Sequence, residues 1–437
     1  MPLALPSALV SKDNQRLNLQ WVKPMRGHRY AIYRRLRRIV IAVLLTFGCL
    51  AAPARSQERD AGVSDIGTVQ EMYDGKLLPD RQVRTFRNID RLFPTRIVAA
   101  GGPVRVFAPS SRSLDGLVIR SGGKTYDLYD YMSMNRVAGL MVLKNGETVF
   151  EDYELGNDGD TRWMSMSIAK SITSTLVGAA IRDGKIERID DRVDTYLPAL
   201  KGTVYDGVTI RQILLMSSGV KWNERYTDPA SDRRRMLDLQ IGQEPHSILR
   251  FMGSLDRLGE PGAVWTYSTG ETHILGELVA AATGRPLADY LSEKIWSRAG
   301  MERDATWWLE SPDGLEVGGS GLSATLRDYA RFGQFILEDG TIGGERILPE
   351  GWVRQAGAPH EIGGRMVDYG YMWWPVSQND GFEQDGAFAA IGIFGQYIYI
   401  NPRRQVVIAM WGAQSKPEGS WPVDEYDFLE AVARHLD

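Results

Sequence analysis

The sequence predicts an α+β fold in which a central antiparallel sheet is flanked by helices, with a mainly helical region inserted into it. Strand-like patterns occur over residues 137–153 and again near the far end, over residues 396–411. The residues between about 184 and 300 have mainly helical patterns. Because strands come early and late with helices between them, we expect both ends of the domain to build one sheet.

Local patterns support each of these elements. Residues 137–153 alternate across Asn145-Gly146, a dipeptide typical of tight primed turns, and therefore predict a hairpin. Ser167 opens an apolar helix that Asp183-Gly184 ends. Further helices are predicted over residues 209–216, 247–252, 271–282, 286–299 and 423–436. A second hairpin joins the apolar runs 396–400 and 405–411.

The first 54 residues are predicted to be a leader and signal peptide, followed by an irregular N-terminal arm over 55–136 and the main domain over 137–437. Arginines precede an apolar run that ends at Ala52-Pro53-Ala54, so we expect export to the periplasm or beyond, with no stable membrane insertion after cleavage. A retained anchor, lipidation of Cys49 and a start at Met25 stay open. Cys49 is the only cysteine, so the mature chain would have no disulfides.

Charge argues against nucleic acid as a partner. The chain has 51 Lys and Arg and 55 Asp and Glu, and residues 1–54 hold nine of the basic and one of the acidic residues. The remainder has 42 basic and 54 acidic residues, a net charge of −12. Such a surface repels phosphate backbones. The oligomeric state stays open.

The composition limits which base could activate a serine nucleophile. Only five histidines occur and no Gly-x-Ser-x-Gly elbow accompanies them, which argues against a Ser-His-Asp site. No His-x-x-x-His pattern or Cys/His cluster is present, so we expect no metal and no cofactor.

Lysine is the alternative base, because Ser and Lys three residues apart share one face of a helix. The pattern occurs at Ser121/Lys124, Ser167/Lys170 and Ser218/Lys221. Glycines place the first and third in turns, and only Ser167 opens a long apolar helix. The N-H groups at that helix start favour a developing oxyanion. Ser167 and Lys170 are therefore the candidate catalytic pair.

Five motifs follow one another over roughly residues 137–435. They are Ser167-x-x-Lys170, Leu214-Leu215-Met216-Ser217-Ser218-Gly219, Pro261-Gly262-x-x-x-x-Tyr267-Ser268, Gly321-Leu322-Ser323-Ala324 and Tyr369-Gly370-Tyr371-Met372-Trp373-Trp374. In this order they resemble class C β-lactamase-like, penicillin-binding-type serine hydrolases, and within that group the sequence is similar to the branch of 6-aminohexanoate-dimer hydrolases and related esterases. The resemblance implies a β-lactamase/transpeptidase-like fold and makes residues 137–437 a hydrolase domain.

The resemblance also implies roles for further residues. Tyr267 is the expected proton relay, and Tyr226 resembles a substrate-contacting tyrosine of that branch. The N-H groups of Ser167 and Ile393 are the expected oxyanion donors, and Trp373 and Trp374 are candidates for an apolar substrate wall. The sequence departs from the family where Thr269 replaces an amide and where Ala390-Ile391-Gly392 lacks a cation. A register through Phe394-Gly395-Gln396 stays open for the last motif.

These features predict a serine hydrolase that acts on small, largely uncharged amides or esters through an acyl-enzyme on Ser167. The missing cation disfavours β-lactamase or D-alanyl peptidase activity, because those substrates carry a carboxylate. A penicillin-binding sensor without turnover and an inactive binding-only relative are the remaining alternatives.

Overall fold

The computed structural model describes residues 65–376, 386–417 and 421–437. The predicted leader over 1–54, including Cys49, lies outside these described residues, as does the start of the arm. Residues 66–437 form one compact unit. No helix within the described ranges is both long enough and apolar enough to cross a bilayer.

Thirteen α-helices are present in the described part of the chain. They are α1 Val69–Tyr73, α2 Pro79–Arg87, α3 Leu128–Met134, α4 Ile168–Arg182, α5 Val193–Tyr196, α6 Ile210–Leu214, α7 Asp232–Gly242, α8 Ser247–Gly253, α9 Thr269–Thr283, α10 Leu287–Leu291, α11 Leu326–Leu337, α12 Trp352–Ala356 and α13 Glu425–His435. A π-helical turn, Ser292–Trp296, extends α10. The predicted helices are confirmed, and α7 and α11 are the longest of the helices that were not predicted.

Sixteen strands accompany these helices in the same described ranges. They are β1 Thr95–Val98, β2 Ile119–Ser121, β3 Lys124–Tyr126, β4 Val137–Lys144, β5 Glu147–Tyr153, β6 Arg162–Met164, β7 Ala305–Trp308, β8 Leu322–Thr325, β9 Thr341–Ile342, β10 Glu345–Arg346, β11 His360–Ile362, β12 Arg365–Val367, β13 Trp374–Pro375, β14 Phe388–Gly392, β15 Gln396–Asn401 and β16 Val406–Gly412.

The central sheet has the order β13-β14-β15-β16-β4-β5, and every neighbouring pair is antiparallel. Both predicted hairpins are confirmed within it. Asn145 and Gly146 have φ values of 53° and 76°, as the primed turn between β4 and β5 requires. Since β16 pairs with β4, the late hairpin lies directly beside the early one, and the two ends of the domain form one sheet.

The sheet separates two hydrophobic clusters. Alternate residues of β16 point to opposite sides, so Val407 and Ala409 lie in the larger cluster while Val406 and Ile408 lie in the smaller one. Helices α4, α9 and α11 contribute to the larger cluster, and α3 and α13 cover the other face. This α+β architecture places the start of α4 beside the end of β14.

A second, smaller sheet lies in the larger cluster and has the order β1-β7-β8-β6. Its strand β6 leads into α4, and β8 pairs with β6 through Met164 and Ser323. The predicted motif Gly321-Leu322-Ser323-Ala324 is therefore the strand that supports the segment before Ser167.

The arm is more regular than the sequence predicts. Residues 66–136 contain α1, α2, α3 and three strands, and β1 belongs to the second sheet. These elements are only three to nine residues long, so none shows a sustained hydrophobic period in the sequence.

Candidate active site

Ser167 occupies the N-cap position of α4, at the end of a tightly held segment. The N-H of Ser165 donates to the carbonyl of Leu322 over 2.8 Å, and Met166 has a left-handed φ of 45°. A left-handed methionine is an uncommon backbone state that the packing around it must maintain. The Ser167 hydroxyl does not cap its own helix. The side chain is therefore available for another partner.

That partner is Lys170. Its Nζ lies 3.0 Å from the Oγ of Ser167 and 3.0 Å from the carbonyl oxygen of Gly319. Both side chains are buried, although Ser167 retains 8% of its exposure. An amine that donates one N-H to Gly319 can turn its lone pair toward the serine hydroxyl. The predicted pair is thus within hydrogen-bond distance.

The surroundings favour the neutral form of Lys170. Burial lowers the pKa of this amine from 10.5 to about 7, the Glu224 carboxylate opposes that change, and the Arg233 guanidinium adds to it. Burial dominates because a charged amine loses its hydration in the interior. Lys170 is therefore neutral in a large fraction of molecules near neutral pH, which a general base requires.

Tyr267 lies against both members of the pair. Its hydroxyl lies close enough to Ser167 for that side chain to affect its pKa, and the Nζ of Lys170 is 5.2 Å from the centre of its ring. Burial raises the pKa of Tyr267, Glu224 adds to this, and the Ser167 side chain opposes it. The phenol therefore stays protonated at neutral pH. Tyr267 can donate or relay a proton, whereas Lys170 is the better proton acceptor.

Two motifs of the sequence hold Tyr267 in place. The N-H of Thr266 donates to the carbonyl of Met216 over 2.7 Å, and the N-H of Gly262 donates to that of Ser217 over 2.7 Å. Ser268 then caps α9 by accepting the N-H of Glu271. The motif 214–219 is therefore a backbone support for the segment that carries the tyrosine.

Two backbone N-H groups near the nucleophile have no protein acceptor. Within the described ranges, neither the N-H of Ser167 nor that of Ile393 donates a hydrogen bond. A Cβ at Gly392 would stand 2.7 Å from the carbonyl oxygen of Ser165, which shows how closely the end of β14 approaches the segment before Ser167. The turn 393–395 follows, and in it the N-H of Phe394 donates to the Oε1 of Gln396 over 3.0 Å. This arrangement is compatible with the predicted oxyanion donors.

An aromatic cluster surrounds Tyr267. Trp374 lies 5.6 Å from its ring centre and 4.8 Å from that of Tyr369, and Trp265 packs 6.1 Å from Trp374. Trp374 is partly exposed. These rings offer an apolar wall next to the phenol.

Trp373, also predicted to bind substrate, lies outside that wall. Its side chain is 1% exposed and packs against Phe332 and Phe388 in the core. Adjacent residues of an extended segment point to opposite sides, which is why only one of the two neighbouring tryptophans can face the site.

Tyr226 is 6% exposed and lies close enough to Tyr267 for an ionised Tyr267 to raise its pKa. Its hydroxyl donates to Glu224 over 2.9 Å, and its ring packs 5.2 Å from that of Tyr73 in α1. Glu224 also accepts the backbone N-H of Thr269 at the start of α9. The loop that carries Tyr226 is thus tied to the segment that carries Tyr267.

Sequence reasoning missed several residues that shape this site. They are Glu224 and Arg233, which act on Lys170 electrostatically, Tyr73, which hydrogen-bonds with Arg233, and Gly319, which accepts from Lys170. Only Glu224 had a sequence signal, because it lies in the same loop motif as Tyr226. The others are distant in sequence and join the site through folding.

The competing Ser-x-x-Lys patterns do not form such pairs. Ser218 donates to the buried carboxylate of Glu271, and Ser121 accepts the N-H of Asp424. Lys221 and Lys124 are exposed. Two surface clefts, one beside Gly300 and one beside Val353 and Pro402, contain none of the residues around Ser167.

Comparisons with known proteins agree with the geometry. Residues 131–433 match the family model described as β-lactamase. The chain is 30% identical over 404 residues to 6-aminohexanoate-dimer hydrolase of Paenarthrobacter ureafaciens, covering 88% of this chain and 97% of that protein. A 6-aminohexanoate-dimer hydrolase-type protein of Bacillus anthracis superposes with a TM-score of 0.71 at 25% identity, over 82% of this chain and 94% of the other. A family VIII carboxylesterase has the same fold, with a TM-score of 0.54 at 18% identity, over 70% and 96%.

Proposed function

The chain belongs to the β-lactamase family, and we propose that it is a serine hydrolase that cleaves amide or ester bonds of small, largely uncharged acyl substrates through an acyl-enzyme on Ser167. The family contains amidases, esterases and β-lactamases, and the resemblance to 6-aminohexanoate-dimer hydrolases is confirmed. The observation that carries the proposal is the 3.0 Å separation of the Ser167 Oγ from an amine whose pKa is about 7.

Acylation would begin with the neutral amine of Lys170. It takes the hydroxyl proton of Ser167 while the Oγ attacks the substrate carbonyl, and the resulting oxyanion accepts the N-H groups of Ser167 and Ile393. Tyr267 gives its proton to the leaving amine or alcohol and receives the proton held by Lys170. The C-N or C-O bond breaks, the leaving group departs neutral, and Lys170 is neutral again.

Deacylation would use the same groups with water as the nucleophile. Lys170, directly or through Tyr267, takes a proton from water, and the hydroxide attacks the ester of Ser167. The intermediate collapses, Oγ regains a proton, and a carboxylic acid leaves. The sum is the hydrolysis of one amide or ester bond by one water molecule.

The substrate class follows from the walls of the site. The strand segment Ala390-Ile391-Gly392 offers no cation for a substrate carboxylate, and the partly exposed Trp374 presents an apolar ring. Arg233 is a cation near the site, but it is 2% exposed and already donates to Tyr73. An uncharged acyl chain therefore fits better than a penicillin. Cleavage of an uncharged linear amide is the amide form of this proposal; the 6-aminohexanoate dimer in the name of the Paenarthrobacter relative has such an amide bond, but its ends are an ammonium and a carboxylate.

The test is a hydrolysis panel with p-nitrophenyl butyrate, the uncharged linear amide N-butylbutanamide and a chromogenic cephalosporin. We expect turnover of the ester or the linear amide and at least about 100-fold lower kcat/KM on the cephalosporin. Ser167→Ala and Lys170→Ala should each reduce kcat by about 1,000-fold or more, and Tyr267→Phe by about 100-fold. Lys221→Ala, an exposed lysine of a competing pattern, is the matched control and should leave kcat unchanged.

Two results would contradict parts of this proposal. Full activity of Ser167→Ala or Lys170→Ala would overturn the assignment of the nucleophile and base. A cephalosporin as the preferred substrate, or a persistent penicillin adduct seen by intact mass spectrometry, would instead overturn the substrate class while leaving Ser167 as the nucleophile.

A further inference from the structure

Four side chains that could bind a metal ion form a cluster separate from the candidate active site around Ser167. His273 and Glu277 lie one turn apart on α9, Glu310 follows β7, and His246 immediately precedes α8. His273 and Glu310 are fully buried and Glu277 is 3% exposed. The ligand atoms of His246, Glu277 and Glu310 all lie within 4.8 Å of one another.

Four buried polar atoms of this cluster have no hydrogen-bond partner within the described residues. These atoms are both ring nitrogens of His273, the Oε1 of Glu277 and the Oε2 of Glu310. The Nε2 of His273 is 3.2 Å from the Oε1 of Glu277 and 3.7 Å from the Oε2 of Glu310, yet neither contact has hydrogen-bond geometry. Buried polar groups without partners are rare and costly, so a ligand is the expected explanation.

We propose that His246, Glu277 and Glu310 bind a divalent transition-metal ion, with Zn²⁺ as the best fit and His273 as a buried neighbour of both carboxylates. One imidazole nitrogen and two carboxylate oxygens are a donor set that suits Zn²⁺. Metal bonds of about 2.0–2.1 Å in a tetrahedron put ligand atoms about 3.3 Å apart. The Nδ1 of His246 is 3.4 Å from the Oε2 of Glu277, which matches that spacing, and the three ligand atoms lie within 4.8 Å of one another.

Charge and orientation support the same conclusion. Two carboxylates and two neutral imidazoles carry a charge of −2, which a divalent cation neutralises in a buried place. The Oε1 of Glu310 accepts the backbone N-H of His246 over 2.6 Å, and this contact aims the Oε2 at the cluster. The side chain of His246 is 57% exposed, so an ion has an access path.

The site would join three parts of the fold. It links the start of α8 and the helix α9, which follows Tyr267, to the connection 309–321 between β7 and β8. That connection supplies the Gly319 carbonyl that accepts from Lys170. Three protein ligands leave the fourth position of the ion to water. The sequence predicts no metal site because the three ligands come from three separate segments.

The alternative occupant of the cluster is a proton. Burial opposes the charged form of His273, but Glu277 and Glu310 favour it strongly enough to raise its pKa to about 9. An imidazolium between two carboxylates would then take the place of the ion. The experiment below distinguishes the two.

The full-length protein is stripped with a chelator and titrated with ZnCl₂, with metal content, calorimetry and thermal unfolding as readouts. We expect one Zn²⁺ per chain and a melting temperature several degrees higher with the metal. His246→Ala, whose side chain is largely exposed, should fold normally and lower the affinity at least about 100-fold. Glu310→Gln should do the same, and His360→Ala, a histidine outside the cluster, should change nothing.

X-ray absorption of the loaded protein should show four nitrogen or oxygen ligands. The proposal is overturned if the stripped protein binds no stoichiometric Zn²⁺, or if His246→Ala and Glu310→Gln bind it as tightly as the unmodified chain. These readouts measure the metal itself, so they are independent of whether Ser167 is the nucleophile.

Discussion

The pH dependence of hydrolysis should report the ionisation of Lys170. A lysine with the ordinary pKa of 10.5 would be neutral in roughly 0.03% of molecules at pH 7, whereas a pKa of about 7 makes half of them neutral. The buried position therefore raises the active fraction about 1,500-fold at pH 7. Because the neutral amine is the base, the activity must fall as the pH is lowered through the pKa of Lys170.

The expected profile follows from that sign. The value of kcat/KM should be flat above about pH 8 and fall tenfold per pH unit below about pH 6, with a midpoint near 7. Lowering the pH from 8 to 5 should reduce it about 100-fold. The assay follows p-nitrophenyl butyrate at the isosbestic wavelength of p-nitrophenol and its anion, so that product ionisation does not distort the rates.

A control variant and a refuting outcome complete this test. Lys221→Ala removes an exposed lysine and should have the same midpoint as the unmodified enzyme. A midpoint above about pH 9, or a rate that does not change between pH 5 and 8, would show that Lys170 is not a base with a lowered pKa.

Two further predictions concern stability and the aromatic wall. Folding lowers the pKa of Lys170, so the unfolded chain binds more protons above pH 7 and the free energy of unfolding of the unmodified protein rises with pH. Lys170→Met should therefore be more stable than the unmodified protein at pH 7. Urea unfolding should show that this advantage shrinks by about 3–4 kcal/mol between pH 7 and pH 10, and a constant difference would contradict the prediction. Trp373→Ala should lower the free energy of unfolding by about 3–5 kcal/mol, because its ring is in the core. Trp374→Ala should cost less stability but lower kcat/KM about tenfold for apolar acyl esters, and equal effects of the two substitutions would refute the assignment of the wall.

Much of the fold was predictable because its signals are local. The Asn145-Gly146 turn, the alternation of residues 396–411 and the apolar helix after Ser167 each depend on neighbouring residues only. The helices α7 and α11, which are 11 and 12 residues long, escaped prediction. Short elements carry weaker signals, so the strands of the second sheet escaped prediction as well. The arm was misjudged for the same reason.

The candidate site also contains residues that local sequence patterns predict and residues that they do not. Ser167 and Lys170 are three residues apart on one helix, so the helical period alone brings them together. Tyr267 was predicted only through its resemblance to a family motif, since no local pattern connects residues 100 positions apart. Composition alone cannot tell which of the adjacent Trp373 and Trp374 faces the core, and the fold places Trp373 there.

The amino-acid sequence by itself determined the helix that carries a serine and a lysine on one face, and the two hairpins that frame it. Tertiary structure decided the pKa of Lys170, because that value depends on burial and on Glu224 and Arg233, which reach the amine only after folding. It also decided the meeting of His246, His273, Glu277 and Glu310. Electrostatic effects and metal coordination act through distances in space, and the order of residues along the chain does not contain those distances.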